Sequence, residues 1–65
     1  SDVYKRQVLL QYIKDHEGFT PLNDKSAAED IYDAFGVSKK TFKKAVGDLY
    51  KKRLVVLEAE GIRLT

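Results

Sequence analysis

Six lysines and one arginine fall within the sixteen residues Ser38 to Arg53, SKKTFKKAVGDLYKKR, against a single acid, Asp48. Placed on a helix at about 100° per residue, Lys40, Lys43, Lys44, Gly47 and Lys51 share one side, opposite Phe42, Ala45, Val46 and Leu49. Ammonium groups act on phosphate as point charges and lack the planar fork with which arginine reads guanine or carboxylate. The chemistry on offer is attraction of a polyanionic backbone more than the reading of base edges. A charged face opposite an apolar stripe is also what any surface helix shows, so the pattern needs a second observation.

That observation is a local cost. Lys39 and Lys40 fall in the first turn, where the helix dipole is positive and a cation costs about 0.3 to 1 kcal/mol. Lys39 with Lys43, and Lys40 with Lys44, are like-charge pairs four residues apart, each unfavourable by about 0.2 to 0.5 kcal/mol. Together these amount to roughly 1 to 3 kcal/mol in a domain whose whole margin is about 3 to 5 kcal/mol. Asp48 is placed to relieve Lys44 and Lys52, and Glu29, Asp30 and Asp33 to relieve others. A bound phosphate would resolve the conflict, because the exposed amides at the helix start and the flanking ammonium groups converge on one place. Lys39, Lys40, Lys43, Lys44 and Lys51 are accordingly the candidate nucleic-acid-binding residues. Thr41 is either a contact to a base edge or a solvated helix residue. Gly47 either lets a phosphate backbone approach closely or relieves crowding against another element.

Other chemistry has little to stand on. His16 lies between Asp15 and Glu17 at a helix end bound for solvent, with no nucleophile tied to it by spacing. The chain has no cysteine, no second histidine to complete a metal site, and no glycine-rich phosphate loop. The expectation is a protein that is not an enzyme, with no cofactor, metal or small-molecule substrate. Tyr4, Tyr12, Tyr32 and Tyr50, with Phe19, Phe35 and Phe42, fit core or core-edge positions at helical period.

The elements that must position the lysines follow from spacing. Tyr4, Val8, Leu9, Tyr12 and Ile13 recur at helical intervals, predicting a first helix over about Val3 to Asp15 ended by Gly18. The opening SDVYKRQ, residues 1–7, has the look of a translated sequencing-adapter scar, so Lys5 and Arg6 are assigned no function. Pro21 limits FTPLND to a short edge strand followed by a turn at Asn23 and Asp24. Ser26 and Glu29 have capping-box spacing, starting a second helix with a stripe of Ala28, Ile31, Tyr32 and Phe35 and a left-handed cap at Gly36. Ser38 is the N-cap of the third helix, which continues to Arg53, and Val37 fills the angle between the two. In LVVLEAEGIRLT, Val55 and Leu57 are expected inward with Ile62 and Leu64, and Gly61 in the hairpin turn. A slip of one residue would exchange the faces.

Helix, short strand, helix, tight turn, helix and hairpin give a small α+β winged helix-turn-helix in the order α-β-α-α-β-β, the C-terminal β-hairpin being the wing. An ordinary helical hairpin is the alternative for helices two and three. The acids Glu58 and Glu60 would repel phosphate at the wing, leaving only Arg63 nearby, and exposed Val56 and Leu54 could instead contact another domain. The longest apolar run, Leu54 to Leu57, is far below the roughly 20 residues that cross a bilayer, so no membrane partner is expected. Charge is uneven: seven cations and one acid within residues 38–53, five cations and nine acids elsewhere. Such asymmetry points to an anionic partner more than the net +2 does.

The segments PLNDKS, FGVSKKTFKKAVGDLYKKR and EGIRL, within a similarity spanning about residues 8 to 64, resemble the C-terminal winged-helix domain of the conserved virulence factor B family, bacterial proteins in which S1-type RNA-binding domains precede this module. The resemblance implies a cytoplasmic RNA-binding regulator of which residues 1–65 form a single C-terminal domain, with neighbouring S1 domains and RNA as partners. Lys39, Lys40, Lys43, Lys44 and Lys51 would then carry the RNA contact. A protein-interaction module without nucleic-acid affinity of its own is the alternative.

Overall fold

A computed structural model describes residues 2–65. It places α1 at Asp2–Asp15, β1 at Phe19–Thr20, α2 at Ala28–Phe35, α3 at Lys39–Lys51, β2 at Val55–Glu58 and β3 at Gly61–Leu64. This is the winged helix-turn-helix in the expected order. One core holds it together: Leu9 and Ile13 of α1, Ile31 and Phe35 of α2, Phe42, Ala45 and Leu49 of α3, and Val55 and Ile62 of the hairpin are all buried.

The turn between α2 and α3 forms as its residues dictate. Gly36 sits in the left-handed region (φ 71°, ψ 18°) and its N–H donates to the Tyr32 carbonyl at 2.7 Å, closing α2. Two residues on, the Ser38 hydroxyl oxygen accepts the Thr41 N–H at 3.2 Å and opens α3. Val37, between them, packs half-buried against the core. Phe35 and Phe42 stack across the same angle, their centroids 5.2 Å apart.

Three local expectations need correction. The Ser26–Glu29 capping box does not form: α2 begins at Ala28 with Ala27 as an N-cap that makes no side-chain hydrogen bond. The Ser26 hydroxyl instead accepts the Asn23 N–H at 3.0 Å, so the turn after Pro21 has claimed it. On α1 and α2, Tyr4, Tyr32 and Ala28 lie outside the buried stripe, exposed to solvent. Helix α3 stops at Lys51, and Arg53 takes a left-handed conformation (φ 61°) that turns the chain into β2.

The sheet order is β1-β3-β2, antiparallel throughout, with Phe19 opposite Arg63 and Val56 opposite Arg63 on the other side. Pro21 confines β1 to two residues at an edge, as its missing N–H requires. Gly61 is not in the turn, which is Ala59–Glu60; it is the first residue of β3. A Cβ there would run into the Thr20 carbonyl oxygen and lie 2.8 Å from Pro21 Cα, so glycine is required where the chain of β1 crosses the hairpin. The hairpin register agrees with expectation, Val55 facing Leu64 and Leu57 facing Ile62. Burial does not: Leu57 remains 49% exposed. Val46 and the Asn23–Lys25 turn stand off from it, leaving an open groove of about 200 Å³.

Candidate nucleic-acid interface

Helix α3 buries Phe42, Ala45 and Leu49, and the fixed helical period therefore turns the opposite side outward. Lys40, Lys43, Lys44 and Lys51 are exposed there and Lys39 is half-buried at the helix start. Among the described residues, no carboxylate pairs with Lys39, Lys40, Lys43 or Lys51, while Arg6 pairs with Asp48 and Arg63 with Glu58. Glu29, Asp30 and Asp33 of α2 therefore give Lys39, Lys40, Lys43 and Lys51 no direct partner. The first turn of α3 holds no acid to offset Lys39 and Lys40.

Asp48 does not serve Lys52 as expected. It accepts a hydrogen bond from Arg6 Nη1 at 3.0 Å across 42 residues of sequence, in a partly buried ion pair that ties α1 to α3. Lys5 and Arg6, assigned no role, line a small recess with Thr41 and Lys44. The Arg6 contact was not readable from sequence because the partner of Asp48 is set by how α1 packs on α3, which no local spacing records. The one available signal was the solitary acid itself. On this flank the lysine face therefore runs on into further cations.

The opposite flank is different. Val46 borders the open groove, whose rim carries Asp24 and Glu58 beside Lys25. Arg63, the cation expected near the wing, donates from Nε to both Glu58 carboxylate oxygens at 3.2 Å and lies over the Phe19 ring, 4.7 Å from its centroid. The outer face of α3 is thus flanked by positive charge toward α1 and by carboxylates toward the wing.

A Cβ at Gly47 would meet nothing within 4 Å, so this glycine relieves no crowding and simply leaves bare backbone among the lysines. Thr41 Oγ1 accepts the Ser38 hydroxyl at 3.0 Å and the residue is half-buried, which makes it part of the helix cap. His16 stacks on Tyr12 at 4.0 Å with its Nδ1 2.7 Å from the Tyr12 carbonyl oxygen, a helix-end arrangement. Among the described residues no three His, Cys, Asp or Glu side chains gather to hold a metal. None of the described helices is long and apolar enough to cross a membrane. Of the tyrosines, Tyr12 alone is half-buried, packed edge-on against Phe35; Tyr4, Tyr32 and Tyr50 are exposed, contrary to their expected core-edge placement.

Comparison with known proteins adds three findings. The CvfB-like winged helix domain family matches residues 7–64. Proteins named conserved virulence factor B are similar: that of Staphylococcus haemolyticus is 41% identical over 59 residues, and those of Staphylococcus epidermidis and Staphylococcus aureus are 39% identical over the same length. Each alignment covers 91% of this chain and 20% of the relative, so the chain spans about one fifth of their length. A crystal structure from Streptococcus pneumoniae, described as a multidomain protein with nucleic acid binding domains, superposes with a TM-score of 0.89 at 41% identity, covering 94% of this chain and 21% of that one.

Proposed function

The chain belongs to the CvfB-like winged helix domain family, and from that premise we propose that it is a nucleic-acid-binding module, RNA favoured, which holds phosphates on the outer face of α3. Residues 1–65 act as one accessory domain of a longer cytoplasmic, bacterial RNA-binding regulator, beside S1-type domains. Lys39, Lys40, Lys43, Lys44 and Lys51 supply the contact, with Gly47 admitting the backbone between them. The observation that carries this reading is that Lys39, Lys40, Lys43 and Lys51 have no carboxylate partner among the described residues, on a helix whose first turn has no acid. RNA is favoured by the resemblance to the virulence factor B proteins. The nucleic acid binding domains of the Streptococcus pneumoniae structure support a nucleic-acid partner in general.

The test is a titration of labelled single-stranded RNA, single-stranded DNA and duplex DNA against the parent and a Lys40→Glu, Lys44→Glu variant, with circular dichroism to verify folding. Each reversal removes one phosphate contact and adds a repulsion, so affinity should fall at least tenfold at low salt. A folded variant that binds as tightly as the parent would refute the reading.

A second reading has its own observation. Leu54, Val56 and Leu57 leave apolar surface exposed on the hairpin, a surface suited to docking against a neighbouring domain. Chemical-shift changes confined to the hairpin on adding the rest of a full-length relative, with none on α3 when RNA is added, would favour it.

A further inference from the structure

At the C-terminal end of α3 the phosphate face runs into a second feature. Tyr50 is 54% exposed and stands beside an open groove of about 410 Å³ lined by Lys51, Arg53, Val55, Val56 and Thr65. The floor is apolar, since Val55 is buried and Val56 is 43% exposed. The rim is cationic, and among the described residues neither Lys51 nor Arg53 has a carboxylate within ion-pair distance. The backbone under Arg53 is pinned from both sides: its N–H donates to the Tyr50 carbonyl at 2.9 Å, and its own carbonyl accepts the Thr65 hydroxyl at 3.1 Å. A left-handed residue held in this way presents its guanidinium from a fixed turn.

We infer that this groove is a base-stacking subsite for single-stranded nucleic acid, in which an unpaired base lies on the Tyr50 ring while Lys51 and Arg53 hold the adjoining phosphates. The inference rests on the phosphate-binding reading of α3 and extends it from backbone attraction to strandedness. A π face and a planar guanidinium are what the lysine face lacks, and both suit a base that is free of its neighbours. Bases inside a duplex are already stacked and cannot offer that face. Lys51 belongs to the lysine face and to the groove alike, so one strand can track from α3 onto Tyr50 without crossing an acidic residue of the rim. The all-cationic rim is also why a nucleic acid suits the groove better than an apolar protein segment does.

The chain contains no tryptophan, so Tyr50→Trp introduces a sole indole reporter. Its fluorescence should be quenched saturably by a short oligouridylate and not by an abasic strand of equal length and charge. Tyr50→Ala should weaken oligouridylate binding about tenfold, a stacking contribution of about 1.4 kcal/mol, with the salt slope and abasic-strand affinity unchanged. Tyr50→Phe should bind like the parent. A folded Tyr50→Ala variant with full oligouridylate affinity overturns the subsite, as does equal quenching by the abasic strand. If Lys40→Glu, Lys44→Glu weakens binding while Tyr50→Ala leaves oligouridylate affinity unchanged, the phosphate reading stands and the stacking inference falls. A parent protein that retains no oligonucleotide at low salt overturns both, and the groove is then a protein contact.

Discussion

Gly61 shows how one residue can be legible in type and illegible in purpose. Its place before IRLT marks a turn, yet the turn is formed by Ala59 and Glu60, and the glycine is needed because β1 and Pro21 cross its Cα. Gly61→Ala should therefore cost about 2 kcal/mol or more by overpacking against backbone that cannot move aside, lowering Tm by roughly 10 °C in a domain of this size. Thermal unfolding followed by circular dichroism measures it. Gly36 and Ser38 were readable outright because a cap is satisfied within four residues of chain. Ser26 was not, since two acceptable partners lay within reach and the Asn23 amide took it. Arg6 and Asp48 lay beyond local reasoning altogether, being 42 residues apart.

At the scale of elements, helices were legible because their apolar period is local, and each core stripe kept its central members: Leu9 and Ile13, Ile31 and Phe35, Phe42 and Leu49. What failed was the edge of each stripe, where Tyr4, Tyr32, Tyr50 and Leu57 are uncovered, because periodicity states which side faces in but not how far the neighbouring element extends. Lys40, Lys43, Lys44 and Lys51 were placed on one face by the same periodicity. Their cost to α3 is testable without any ligand. Lys39→Glu puts an acid in the first turn and replaces a like-charge pair with Lys43 by an attractive one. It should raise stability by about 1 kcal/mol, the dipole and pair contributions adding, while reducing oligonucleotide affinity. An unchanged or lowered denaturation midpoint would show that the lysines carry no penalty.

At the scale of the whole molecule, the charge map is more polarised than a count along the chain conveys, with Lys5 beside Lys44 on the α1 flank and Asp24 and Glu58 on the wing flank. Occupancy of about four phosphates predicts a log–log salt slope near −3 on single strands and −4 on duplex, read from affinities at several salt concentrations. A slope near zero would contradict phosphate-dominated binding. The order of the sheet has a further consequence in time. Its middle strand, β3, follows both of its partners along the chain. In synthesis all three helices precede the strand that both other strands pair with, so neither strand pair can form until residues 61–64 exist, and any truncation ahead of Gly61 removes the whole sheet and not one edge of it.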